Sequence, residues 1–176
     1  MKPLARALVA GLLIAGAIVV LGFGLTRDPK ILRGELVGRP APAFDLRGVD
    51  GRHVRLQHPL RRPMVINFWA SWCTECREEH PDLMRAHERW QRQVDFVGIV
   101  FRDAPGNVER FLLERGETPA TTYPNLIDRG TRTAIDYGVY GVPETFFVDR
   151  RGIITYKRIG RVTPQLLRDQ IARITS

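Results

Sequence analysis

The only two cysteines of the chain, Cys73 and Cys76, stand three apart in "NFWASWCTECREEHP", residues 67–81. A C-x-x-C pair supports three kinds of chemistry: a small structural disulfide, part of a metal site, or a redox couple cycling between dithiol and disulfide. A purely structural bridge across so short a loop removes little entropy from the unfolded chain. A zinc or copper site needs further ligands. His80 and His87 follow the cysteines at helical spacing, but four ligands from one helix would splay apart, whereas structural zinc gathers them from two segments. A copper metallochaperone is therefore the binding-module alternative to a redox enzyme. Covalent haem attachment requires histidine directly after the second cysteine, where this chain has Arg77.

The elements around the pair favour redox work. "MVINFWA", residues 64–70, is apolar on both faces, as a strand covered on each side must be. Residues 74–92 follow with Leu83, Met84, His87 and Trp90 at helical spacing, and Pro81 inside is expected to kink this helix. Cys73 thus falls at a helix start, where unpaired backbone N–H groups and the helix dipole favour negative charge and lower a thiol's pKa. Cys76, one turn further in, is placed to resolve a mixed disulfide formed on Cys73.

The remaining pattern is α/β. "RGVDGRHVRL" carries a hairpin signal at Asp50–Gly51. "VDFVGIVF" (94–101) reads as a second buried strand, and "NVERFLLER" (107–115) as an amphipathic helix ended by Gly116. A helical turn is expected near 131–137, then a hairpin over 144–158 around "RRG". The closing helix has Thr163 as N-cap and Pro164 at its first position. These elements stack as a three-layer α/β sandwich.

Two stretches carry a family resemblance. "NFWASWCTEC", with Pro81 five residues after Cys76, resembles the active site of the thioredoxin superfamily, and "GVPETFFVD" (141–149) resembles its cis-proline loop. Within that superfamily, "GRPAPAFDL" and "DYGVYGVPETFFVDRRGIITYKRIGRV" are similar to the membrane-tethered thiol:disulfide interchange proteins of cytochrome c maturation, the DsbE/CcmG type, related to TlpA and ResA. The resemblance implies a thioredoxin-like fold with a central mixed sheet and a cis Val142–Pro143 peptide facing Cys73 and Cys76. It implies no cofactor beyond that disulfide, and a periplasmic reductant that keeps apocytochrome c cysteines reduced, recharged by a membrane thiol reductase. A TlpA/ResA-like reductase for another exported protein is the alternative. A peroxiredoxin shares the "PAPAFDL"-type opening, but the Pro and Thr before its cysteine are here Ile66 and Ala70. Trp72 is expected at the lip beside Cys73, with Val142 and Tyr140 contacting substrate. Asp103 matches an acidic position of the family and reads as a loop residue.

Glutamates surround the motif: Glu75, Glu78, Glu79 and Glu144, of which Glu79 and Glu144 match glutamates of the DsbE/CcmG pattern. Carboxylates near Cys73 raise the thiolate's pKa and make the couple more reducing, so an acidic rim argues for an electron donor and against an oxidase of the DsbA kind. Thr74–Glu75 departs from the usual Pro-Thr between the cysteines.

The N-terminus is different material. Twenty uncharged residues, "ALVAGLLIAGAIVVLGFGLT", lie between Arg6 and Arg27, about 30 Å as a helix, which matches a bilayer core. "AGA" at 15–17 resembles a signal-peptide cleavage site, but the apolar run continues through Leu21, which favours a retained anchor. The expected organisation is a transmembrane anchor over 1–27, a linker over 28–37 and the thioredoxin-like domain over 38–176, facing the periplasm from a bacterial inner membrane. The net charge of +8 comes from scattered arginines, with no basic block of the kind that tracks nucleic acid.

Overall fold

A computed structural model describes residues 11–16, 36–118 and 121–176. The chain divides into two units, residues 1–35 and 36–176. In the first, residues 11–16 are helical. The expected anchor and most of the linker otherwise lie outside the described residues, and no described helix is long and apolar enough to cross a membrane.

The second unit is built on a five-stranded sheet. Its strands are β3 (Met64–Trp69), β4 (Asp95–Val100), β5 (Asn125–Ile127), β6 (Glu144–Val148) and β7 (Ile154–Ile159), in the order β5-β4-β3-β6-β7. β3 pairs parallel with β4 and antiparallel with β6, so the sheet is mixed. Every residue of β3 is buried, as its unbroken apolar run demands of a central strand. A separate antiparallel hairpin, β1 (Phe44–Arg47) and β2 (His53–Leu56), turns at the expected place.

Helix placement follows from handedness. β3 connects to β4 through α1 (Thr74–Trp90), and β4 to β5 through α2 (Pro105–Leu113). Both crossovers step in the same direction across parallel strands, so right-handed connection puts both helices on one face. α4 (Pro164–Thr175) joins them there: Leu83 and Ala86 of α1 pack with Val65, Phe96 and Phe147 and with Leu167 and Ile171 of α4. The other face is covered by Ala134 of the short α3 (Arg132–Asp136), by Tyr137 and Val139 after it, and by Phe44 and Leu56 of the hairpin. These are the three layers expected.

α1 carries Pro81 inside it as one continuous helix, and Pro81 is exposed, so water can serve the carbonyl that its missing N–H leaves open. One local feature differs from the sequence reading. β5 was absent from the sequence pattern, because three residues are too few for strand periodicity to register. Thr163 caps α4 as expected, its hydroxyl accepting from Leu166 N, with Pro164 following.

Gly98, in β4, lets the site's floor close. A Cβ there would lie 2.5 Å from Asn125 Oδ1 and 2.7 Å from Trp69 Nε1. Gly98→Ala is expected to lower the unfolding free energy by about 1–3 kcal/mol, read as a lower urea midpoint with an unchanged slope.

Candidate active site

The site forms where β3 ends. Trp69 closes the strand, and its carbonyl accepts from Phe101 N at 2.8 Å. Four residues later Cys73 caps α1 in an extended conformation, and its sulfur accepts the Cys76 N–H at 3.1 Å. That N–H is one of the donors a helix start leaves without an intrahelical partner. Cys73 and Cys76 are joined in a disulfide, with Cα atoms 5.2 Å apart. Cys73 is 7% exposed and Cys76 2%, so the sulfur nearer the surface is that of the expected nucleophile.

Asp103 holds the turn that presents Cys73. Its Oδ2 accepts from Ser71 N at 2.7 Å, and its Oδ1 accepts from Ala104 N at 2.8 Å and Asn107 Nδ2 at 2.9 Å. Burial works to raise this carboxyl's pKa, but the hydrogen bonds from Ser71, Asn107 and Ala104 outweigh burial and hold it below the usual carboxylate range. Asp103 thereby ties the cysteine turn to the start of α2, a positioning part that its loop location did not reveal.

The Val142–Pro143 peptide is cis and faces the disulfide, with the Val142 carbonyl oxygen 3.6 Å from Cys73 Sγ. Pro143 O accepts from Gly160 N at 2.9 Å, which fixes the loop to the end of β7. The backbone N–H and C=O of Val142 enter no backbone hydrogen bond among the described residues, leaving an edge that an extended peptide can pair with. Trp72 is 58% exposed and Tyr140 79%, two large aromatic surfaces left open to solvent. Trp72 Nε1 donates to Arg102 O at 3.3 Å, and Arg102 holds a left-handed conformation, φ 48°.

The four glutamates do not form a single rim. Glu75 and Glu78 are exposed, and Glu78 pairs with Arg161 at 3.1 Å. Glu79 is fully buried: Oε1 accepts from Asn67 Nδ2 at 2.9 Å and Oε2 from Val162 N at 2.7 Å. Burial pushes its carboxyl up to about 7, against the pull of these two hydrogen bonds. Glu79 shares the buried face of α1 with Cys76, one turn away. Glu144 is also buried, and Lys157 Nζ meets its Oε2 at 2.7 Å. Glu144 is therefore not a free charge of the expected acidic rim, since the Lys157 ammonium pairs with it within the fold. Asn67, Lys157 and Val162 are site residues that sequence reasoning missed. Asn67 alone left a signal, as the one polar residue in "MVINFW".

The histidines do not join the cysteines. His80 Nε2 lies 2.7 Å from Glu117 Oε2, and the His87 ring packs edge-on against Phe96 and Tyr123. Among the described residues, no three His, Cys, Asp or Glu side chains converge as a metal site.

Two outcomes follow from the buried carboxylates. Between pH 4.5 and about 7 the folded protein keeps a proton on Glu79 that the unfolded chain releases, so stability falls as pH rises through that window. The separation of about 2.5 pH units corresponds to about 3 kcal/mol, and Glu79→Gln should flatten the decline in urea unfolding measured from pH 4.5 to 8. Glu144→Gln leaves Lys157 as an unpaired buried cation and is expected to cost about 3 kcal/mol in the same assay.

Comparison with known proteins places this geometry. The AhpC/TSA family matches residues 37–157, from just before the "PAPAFDL" opening into β7. The DsbE thiol:disulfide interchange protein of Allochromatium vinosum is 35% identical over 173 residues, 97% of this chain and 93% of the relative. That of Pseudomonas aeruginosa is 36% identical, covering 88% of this chain and 83% of the relative. A crystal structure of a putative DsbE from Chlorobium tepidum superposes with a TM-score of 0.70 at 27% identity, covering 80% of this chain and 98% of the other. The thioredoxin-like frame, the paired cysteines and these likenesses make the chain a protein-disulfide oxidoreductase that belongs to the AhpC/TSA family and, within it, to the DsbE thiol:disulfide interchange proteins.

Proposed function

We propose that this protein works as a reductant on the periplasmic side of a bacterial inner membrane, held there by the apolar run of residues 7–26, and that it keeps apocytochrome c cysteines reduced for haem attachment. The observation that carries the reaction is the Cys73–Cys76 disulfide at the tip of α1, with the Val142 carbonyl beside Cys73 Sγ.

In the reduced protein the Cys73 thiolate attacks one sulfur of a substrate disulfide. A Cys73–substrate disulfide forms, and the other substrate sulfur leaves as a thiolate. The substrate backbone pairs with the open edge at Val142, between Trp72 and Tyr140, which holds the reacting sulfurs in line. Cys76 then gives its proton to the Glu79 carboxylate and attacks Cys73 Sγ, releasing the second substrate thiolate and closing the disulfide seen here. Two electrons pass to the substrate, whose thiolates take protons from solvent. A carboxyl with a pKa of about 7 is suited to accept a proton from a thiol whose ordinary value is about 8.5. A membrane thiol reductase returns the pair to the dithiol. No cofactor enters these steps.

The two exposed glutamates, Glu75 and Glu78, oppose the helix dipole near Cys73 and favour the reducing direction. Each pH unit by which they raise the thiolate's pKa moves the couple about 30 mV more reducing, where the shift acts in full.

Cys76→Ala removes the resolving thiol and should accumulate mixed disulfides through Cys73, visible on non-reducing gels and absent from the Cys73→Ala/Cys76→Ala double variant. A cytochrome c precursor in the trap supports the proposed substrate, and a different exported protein moves the assignment to a TlpA/ResA-like reductase. The absence of any trapped protein would sink the exchange mechanism.

A further inference from the structure

The end of the domain opposite the disulfide gathers exposed arginines from several loops. β3 begins there at Met64 beside Asp95 of β4 and Val148 of β6, while the cysteines lie beyond the other end of β3. The chain also enters the domain at this end: Gly38 N donates to Ile154 O at 2.7 Å, and Ile154 N to Arg39 O at 3.0 Å. Further contacts draw three loops to the same pole. Leu60 N donates to Arg150 O at 3.1 Å, and Arg62 Nη1 to Gln91 O, at the C-terminus of α1, at 2.9 Å.

These segments bring six exposed arginines together: Arg39, Arg61, Arg62, Arg92, Arg150 and Arg151. The carboxylates alongside are engaged, Asp95 with Arg62 and Asp149 with Arg151. Arg39, Arg61, Arg92 and Arg150 have no ion-pair partner among the described residues. Val37, an apolar side chain 43% exposed, stands among them where the chain enters. At the active-site end Arg77, Arg132 and Arg161 each have a carboxylate partner, while the exposed Arg102 and Arg129 have none among the described residues.

We propose that this pole is a docking surface for anionic phospholipid headgroups, which turns the disulfide away from the bilayer. The inference goes beyond the redox reading and draws on the proposed anchor for its geometry. Only nine residues, 27–35, separate the apolar run from Leu36, and nine residues span at most about 30 Å. The linker therefore sets only an upper limit on the separation, and the guanidinium groups of the pole act on a charged surface in those arrangements that bring them within a Debye length of it, about 8 Å at physiological salt. The arginines are spread over several loops rather than focused in a cleft, which suits a flat sheet of phosphates better than one small anion.

The test is hydrogen exchange on the full chain in nanodiscs of pure phosphatidylcholine and of a phosphatidylglycerol mixture. Amides in 36–41, 60–63, 90–94 and 149–153 are expected to exchange about tenfold more slowly with phosphatidylglycerol. The difference should vanish in about 0.5 M NaCl, where the Debye length falls to about 4 Å, and in the Arg39→Glu/Arg61→Glu/Arg150→Glu variant. Equal exchange in the two lipids, or lipid-dependent slowing at 71–77 and 140–142 instead, would overturn the docking surface. If the triple variant does not fold, the salt series on the native chain decides alone. Failure to enter phosphatidylcholine discs would count against the anchor. The pole is then measured on phosphatidylglycerol vesicles, where salt-sensitive slowing of the same amides supports the docking surface and unchanged exchange overturns it. Disulfide exchange in solution is independent of all these outcomes.

Discussion

The Glu79 carboxylate is the junction on which the site depends. One oxygen accepts from Asn67 in the central strand and the other from the backbone of Val162 ahead of the last helix, while the residue itself belongs to the helix that bears both cysteines. Three segments distant in sequence are thus referenced to one buried group. Burying it without those two hydrogen bonds would cost several kcal/mol. Even with them its proton is held to about pH 7. Held near neutrality on the buried face of the helix that bears the inner cysteine, this carboxyl keeps a proton that an ordinary surface glutamate would have lost long before.

Charge at the site is graded by depth. Glu75 and Glu78 remain in solvent, where their influence on the sulfur is screened. Glu144 faces Lys157 in a pair whose side chains are each 6% exposed. Such a pair contributes little net charge to its surroundings, and its worth lies in fixing the start of β6 directly after the cis-proline. Lys157 also lies 4.9 Å from the Phe146 ring centre and donates to Gly138 O at 3.3 Å, so the ammonium joins β7 to the loop before the cis peptide. The glutamate that resembles part of an acidic rim is, in the fold, one end of a brace.

What could be read beforehand divides along physical lines. The cysteine pair, the helix start and the Val142–Pro143 loop are local, written in adjacent residue types, and each occurs where the sequence placed it. The three layers follow from periodicity and handedness. Asn67 was legible in principle, since a lone amide inside an apolar strand must find a partner. Lys157 and Val162 were not, because a partner contributed from far along the chain leaves no local trace. The strand Asn125–Ile127 was invisible for a related reason: its place in the sheet comes from Gly98 to Val100 alongside it, not from its own three residues.

The antiparallel set of β6 beside β3 has a further consequence. It brings Val142 against Cys73 across 69 positions of chain, so the thiol and its docking edge become one site only when the sheet is nearly whole. Contacts of such long sequence separation carry a larger loop-closure entropy cost than local ones. A partly folded chain would carry both sulfurs but no edge to align a substrate. Topology thus withholds directed chemistry until the sheet is assembled.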